Sequence, residues 1–470
     1  MDKLIIASAD SHAGMAPEMW PQYLDKKYHK YLQRLRDEHA LFGGTMQLLS
    51  DLRTPDEAKP IFDKEGCFDE GHRGLWDLDV RLAEMDREGV AAELVFPGDF
   101  RSFDMFWNTV NGTYALAAVD AGARAFNRWC ADAFGSAGDR LLLIGAPLSG
   151  LDRQEVLDEA DFMADHGFTG LFTPGYNALP GTVPIFEAEW DPVFAAYAER
   201  GLTLITHAGY GMPQGFMFSE VETAAAEVKA EGGSDHDLIT KLVTTVFNDS
   251  GVFADLRSRQ GMWQFMLGGV FDRHPSLKMM VTEVRADWIP ATLKLLDRVW
   301  EKNRDRLPAR RRPSEYWGTN CIAGLSFMNR AELAMRHEIG VDTMAFGRDY
   351  PHGEGTWPNT IDYLADLFQG VPESEVRAIL GGNMIDFLGL DPAPLAAIAE
   401  RIGAPTYQQI AERGRMSPEL EQHISIRCGY AKPSEGERRM AEMEPMLERD
   451  IPRLVAAGSA FAESAGRVLS

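Results

Sequence analysis

A chain of 470 residues can bury one large core or two ordinary ones. Its composition, 45% hydrophobic, 25% charged and 10% aromatic, is that of a folded globular protein rather than a disordered or fibrous one. Acidic residues outnumber basic ones by 24 (71 against 47), which argues against nucleic acid and anionic membrane surfaces as partners.

The four cysteines, Cys67, Cys130, Cys321 and Cys428, are widely spaced and form no C-x-x-C. A disulfide framework or zinc knuckle is not expected, and a reducing cytoplasm fits. The start, MDKLIIASADSH, lacks the basic segment and long apolar run of a signal peptide. No uninterrupted apolar stretch approaches the ~20 residues a membrane span needs.

In chain order, strand-like runs are LIIASA (4–9), AAELVFP (91–97), LLLIGAPL (141–148), GLFTPG (170–175), LTLITHA (202–208), LKMMVTE (277–283), NCIAGLSF (320–327) and TMAFGRD (343–349). Between most of them lie helix-like segments: RLAEMDREG, QEVLDEADFMADHG, DPVFAAYAERG and ELAMRHEIG. Their recurring terminal glycine is a helix C-cap signal. Eight such alternations predict a parallel (β/α)8 barrel, with inserts after strand one (13–75) and strand five (209–265). A doubly wound sheet is the rival, but no G-x-G-x-x-G follows the first strand. After GNMIDFLGLD the rhythm stops, giving a barrel over 1–391 and a helical extension over 392–470. Met440, Met443, Met446, Leu447, Ile451, Leu454 and Val455 keep helical spacing there, despite Pro445 and Pro452.

Three carboxylates and three histidines fall at the predicted strand ends or just beyond. Asp10 and His12 form a D-x-H after the first strand, and alternation puts both on one side. His207 ends the fifth strand, Glu283 the sixth and Asp349 the last, with His352 three positions on. Each alone has an ordinary structural reading as a satisfied polar residue. Together, at the converging ends of barrel strands, they predict one metal site, for which mixed imidazole and carboxylate donors suit Zn, Mn or Fe. Arg285, two positions after Glu283, is the candidate clamp for a substrate carboxylate. Arg348 is expected to point away from Asp349 and to be structural. His72, His166, His274 and His337 are expected to be solvated or capping.

The segments SADSH, RLAEMDREGVAAELVFP, THAG, FDRHPSLKMMVTEVRADWIP, FGRDYPHGEGTWP and ILGGNMIDFLGLD occur in this order over residues 4–391. In them the chain resembles the amidohydrolase superfamily, in particular the amidohydrolase-2 branch with its aminocarboxymuconate semialdehyde decarboxylase-like proteins. The resemblance implies a TIM barrel with a divalent metal held by Asp10, His12, His207 and Asp349. The chain departs from the pattern in two ways. No lysine stands where a carboxylated bridging lysine would be, and Glu283 stands where the decarboxylases carry a proton-shuttling histidine. Glu283 and His352 are then either ligands of a second metal or partners that orient the first set.

The leading expectation is a metal-dependent hydrolase of a small organic acid, amide or lactone, with Asp349 and Glu283 as its catalytic carboxylates. The alternatives are a dinuclear Fe/Mn O2-dependent monooxygenase and a non-oxidative decarboxylase of an aromatic acid. A non-catalytic partner of an active homologue is disfavoured by six intact candidates. The expected partners are a small-molecule substrate and a second copy of the chain.

Overall fold

The computed structural model describes residues 2–40, 58–98, 114–173, 183–208, 216–234, 237–238, 241, 256–326, 328–353, 355–427 and 436–468. Residues 41–57 of the first insert, and 209–215 and 242–255 of the second, lie outside these.

All the strands are parallel and pair in one order around a barrel. The strands are β1 (Ile6–Ser8), β2 (His12–Ala13), β3 (Val90–Pro97), β4 (Leu141–Gly145), β5 (Gly170–Phe172), β6 (Thr203–Thr206), β7 (Met279–Val284), β8 (Cys321–Leu325) and β9 (Met344–Phe346). Both β1 and β2 pair with β3 and act as one stave, so the staves number eight. The first and last staves meet through backbone bonds. The Ala9 N–H donates to the Phe346 carbonyl at 2.7 Å, and the Asp349 N–H to the Asp10 carbonyl at 3.0 Å. This is the expected (β/α)8 barrel, a TIM barrel.

The staves form here because short runs of apolar residues can be buried on both faces of a parallel sheet. Ala92, Leu94 and Phe96 of β3 join Ile144, Ile205 and Met280 in the barrel interior. Val95, out of phase with them, packs outward against the helices. The helices between staves include Leu78–Arg87, Arg153–Asp165 and Asp191–Glu199. The glycines that follow them, Gly89, Gly167 and Gly201, take the left-handed φ of 66°, 74° and 69° that the C-cap signal requires.

The segment from 392 to 427 forms helices Pro392–Arg401, Tyr407–Arg413 and Pro418–Arg427. The last helix, Gly436–Val468, runs through both prolines and buries Met443, Leu447 and Leu454. Its Asp450 Oδ2 accepts from Gln260 Nε2, Trp263 Nε1 and Gln264 Nε2 at 2.9–3.0 Å, fastening it to the helix Leu256–Leu267. No helix among the described residues is long and apolar enough to cross a membrane.

Candidate metal centre

All six predicted residues converge at the C-terminal mouth of the barrel. They form two groups, Asp10–His12–His207–Glu283 and His12–Glu283–Asp349–His352, and within each group the donor atoms lie within 4.8 Å of one another. His12 and Glu283 belong to both. His12 Nε2 is 3.4 Å from Asp10 Oδ1, 3.2 Å from Asp349 Oδ1 and 3.8 Å from Glu283 Oε2. His207 Nε2 is 2.8 Å from Glu283 Oε2, and His352 Nδ1 is 2.9 Å from Asp349 Oδ1. Five of the six are buried, and His352 is partly so.

Local backbone geometry aims these side chains. Strict alternation along β7 would turn Thr282 into the barrel and Glu283 out of it. The strand instead shifts register between Val281 and Val284, and Glu283 takes φ 53°. Asp349 has φ 54°. A left-handed backbone at a residue with a Cβ is strained, and such strain concentrates where a side chain must be held in an unusual direction. Just past β6, His207 Nδ1 donates to the Ala208 carbonyl at 3.0 Å, because a carbonyl can only accept. That fixes the tautomer and leaves Nε2 for the centre.

Three carboxylates in one buried pocket cannot all ionise equally. Burial raises the Asp10 and Glu283 carboxyls, but the adjoining His12 and His207 more than reverse this and hold both below the usual range. Burial, together with the charges of Asp10 and Glu283, pushes Asp349 up to about 6. Burial works against protonated imidazoles, yet the surrounding carboxylates raise His207 to about 10 and His12 well above its ordinary value.

A divalent ion fits this donor set. Asp10 Oδ1, both ring nitrogens of His12 and Asp349 Oδ2 are buried and make no hydrogen bond among the described residues. Mixed imidazole and carboxylate donors suit Mn, Fe or Zn. Around them stand aromatic walls. The Phe96 and Phe172 rings lie 5.2 and 5.6 Å from His207, and the His352 ring stacks on His12 at 3.9 Å.

The other sequence candidates take their own places. Arg285 is buried, with Nε 3.3 Å from Glu332 Oε1 and 3.9 Å from Asp287 Oδ1. Because β7 ends at Val284 and Glu283 is left-handed, the expected alternation from Glu283 to Arg285 does not carry through. Arg348 points away from Asp349, as expected, and pairs with Glu88 and Glu93. His166 caps its helix through Phe162, and His337 is exposed. His72 likewise caps its helix, through the Phe68 carbonyl at 2.6 Å, and it is also buried, with its ring against Phe68 and Trp357 at 4.5 and 5.2 Å. Loop position alone could not show that two aromatic neighbours cover it.

Sequence reasoning missed two supports of the centre. Arg81 donates to the His12 carbonyl at 2.7 Å, to Ser11 Oγ at 2.6 Å and to Glu93 at 2.7 Å. A lone carboxylate in the apolar run AAELVFP was the available signal, since a buried charge needs a partner. Ser326 donates to Asp10 Oδ2; a serine in NCIAGLSF carries no such signal.

An amidohydrolase family model matches residues 10–390. Several solved structures share the fold. An amidohydrolase from Mycobacterium avium subsp. paratuberculosis K-10 is 20% identical, with a TM-score of 0.56 over 83% of this chain and 99% of its own. A dihydroxybenzoic acid decarboxylase from Polaromonas sp. JS666, solved with manganese and 2-nitroresorcinol, is 16% identical, with a TM-score of 0.53 over 82% and 97%. A 5-carboxyvanillate decarboxylase from Novosphingobium aromaticivorans DSM 12444, solved with manganese and 4-hydroxy-3-methoxy-5-nitrobenzoic acid, is 18% identical, with a TM-score of 0.55 over 82% and 96%. Comparison with curated protein sequences finds no match.

Proposed function

Since the chain belongs to the amidohydrolase family, we propose that it is a metal-dependent enzyme that removes carbon dioxide, without oxidation, from a small aromatic acid. The observation that carries this reading is the convergence of six donor residues at a barrel mouth walled by Phe96 and Phe172. Solved structures of similar fold include manganese-bound decarboxylases of hydroxylated aromatic acids, which supports the substrate class. Hydrolysis draws on the same residues but has no such support among the structures whose reactions are named.

Asp10, His12, His207 and Asp349 would hold the ion. When bound, a divalent ion supplies fixed positive charge that anchors and polarises an anionic substrate. Phe96 and Phe172 offer an apolar surface to the ring and keep water from it. Asp349, pushed up to about 6, is mostly ionised at neutral pH but takes up a proton more readily than an ordinary carboxylate. It delivers that proton to the ring carbon bearing the carboxylate. The bond from that carbon to the carboxylate then breaks, its electron pair restores the aromatic ring, and carbon dioxide leaves. Water returns a proton to Asp349. Glu283, in the place of a shuttling histidine, lies 2.8 Å from His207 Nε2 and would add its negative charge beside the ion.

The test is carbon dioxide release from a panel of ortho-hydroxybenzoic acids by the manganese-loaded chain. Stoichiometric phenol and carbon dioxide are expected; no release from any member sinks the reading.

One observation favours a second reading. Two overlapping four-residue groups share His12 and Glu283, an arrangement suited to two ions with a bridging carboxylate. An O2-dependent dinuclear Fe/Mn oxygenase would use both. About two iron or mixed ions per chain, with O2 uptake, would select it over decarboxylation.

A further inference from the structure

The part of the mouth between β8, β9 and β1 is built from small residues. A Cβ added at Gly324 would stand 3.0 Å from Thr282 Cγ2 and 3.2 Å from Ala9 Cβ. One added at Gly347 would stand 2.7 Å from Ser326 Oγ and 2.8 Å from Asp10 Cβ, closer than real Cβ contacts allow. Ser326, the residue after β8, occupies the space so left, and its hydroxyl donates to Asp10 Oδ2. Both residues are buried, at 1% and 0% exposure.

With Oδ2 engaged, Oδ1 is the oxygen that faces the imidazoles. It lies 3.4 Å from His12 Nε2 and 3.6 Å from His207 Nε2 and makes no hydrogen bond among the described residues. The Asp10 backbone is pinned as well. Its carbonyl accepts from Ser8 Oγ at 2.7 Å and from the Asp349 N–H at 3.0 Å. Ser8 Oγ also accepts from the Arg348 N–H at 2.9 Å. The backbone bonds leave the side-chain torsions of Asp10 free, and the Ser326 hydroxyl restrains them through Oδ2.

We infer that Ser326 is a positioning residue for the metal centre: its hydroxyl, given room by the missing side chain of Gly347, holds Asp10 so that Oδ1 alone is presented to the ion. This rests on the metal-centre reading above and extends it to the coordination mode of Asp10. The physical reason is a broken symmetry. A free carboxylate offers either oxygen or both, and a two-oxygen grip crowds the neighbouring imidazoles. A hydroxyl carries one donor proton, and spending it on Oδ2 makes the oxygens unequal.

The test is Mn2+ binding to the full-length chain stripped of metal, for wild type, S326A and G347A. It is read by calorimetry, by the paramagnetic resonance spectrum of bound Mn2+ and by the melting temperature of each metal-free chain. The expected result for S326A is an affinity about 10- to 100-fold weaker and an altered spectrum, with metal-free melting close to wild type. G347A, whose methyl would displace the same pair, should weaken binding likewise and carries the test if S326A does not fold. Wild-type affinity and spectrum in both variants overturn the inference while leaving the metal reading intact. A loss of affinity fully matched by a loss of metal-free stability also overturns it. A wild-type chain that binds no Mn2+ overturns the metal reading, and this inference with it.

Discussion

Arg348 and Glu93 face each other in a fully buried layer outside the barrel wall, with Arg348 Nε and one terminal nitrogen 2.9 and 2.8 Å from Glu93 Oε2. The pair extends on both sides. Glu93 Oε1 accepts from Arg81, and Arg348 donates to Glu88 at 2.9 Å. Two cations and two anions thus lie behind the stave ends. Arg81 grips the His12 carbonyl, and Arg348 immediately precedes Asp349. The layer ties the backbones of two candidate ligands to the sheet without entering the site.

Glu93→Gln should therefore destabilise the fold by about 3–5 kcal/mol, the usual result of leaving one member of a buried ion pair without its partner. Urea unfolding measures it. The effect depends on pH. Burial raises the Glu93 carboxyl, but Arg348 and Arg81 more than reverse this and leave it below its ordinary 4.5. A folded-state value below the unfolded one gives stability that is complete above about pH 4.5 and is lost as pH falls through the folded value. The gap between wild type and variant should be constant near neutrality and close only in acid. A gap that narrows between pH 6 and 8 would contradict the assignment.

Asp349→Asn keeps the shape of the side chain and removes its proton chemistry. Turnover should fall by about 10²- to 10⁴-fold, the contribution of a positioned acid or base, with the melting temperature nearly unchanged. Carbon dioxide release and thermal melting check the two halves. Unchanged turnover would remove Asp349 from the chemistry.

Glu283→Gly and Glu283→Ala both remove the carboxylate but differ at φ 53°. Glycine adopts that conformation freely, and alanine does not, so the glycine variant should be more stable by about 1–2 kcal/mol. Paired denaturant titrations decide this. Equal stability would mean that the left-handed backbone at Glu283 is not kept in the variants.

Much of the barrel was legible because eight buried parallel staves leave eight apolar runs, and because glycine at helix ends has a single physical cause. The six converging residues were legible for a related reason: carboxylates and imidazoles at strand ends stand out against apolar surroundings. What was not legible depends on the backbone departing from its own period. The turn of Glu283 into the mouth and the diversion of Arg285 to Glu332 both follow from one left-handed residue in β7. The pairing of Ser326 with Asp10 joins positions 316 apart, and no local pattern announces it.

Saturating Mn2+ should raise stability. At a hundred times its dissociation constant the gain is about 2.7 kcal/mol, and a chelator should reverse it. Melting curves with manganese, without it and after chelation measure the effect. No shift at any manganese concentration would count against the site.

Asp450→Ala removes the shared acceptor of Gln260, Trp263 and Gln264. A loss of about 1–3 kcal/mol is expected from leaving buried donors without it. Limited proteolysis should then cut the segment 436–468 faster than in wild type. Equal cutting rates would show that apolar packing alone holds this helix.

The joint between the first and last staves has a consequence for how the protein is made. Asp10 leaves the ribosome well before His352, which follows 342 positions later. The bonds from Ala9 to Phe346 and from Asp349 to Asp10 form only when the final stave docks beside the first. No nascent chain shorter than 352 residues contains the complete donor set. The joining of the first and last staves is therefore also the step that assembles the donor set, so barrel closure and a complete site arrive together.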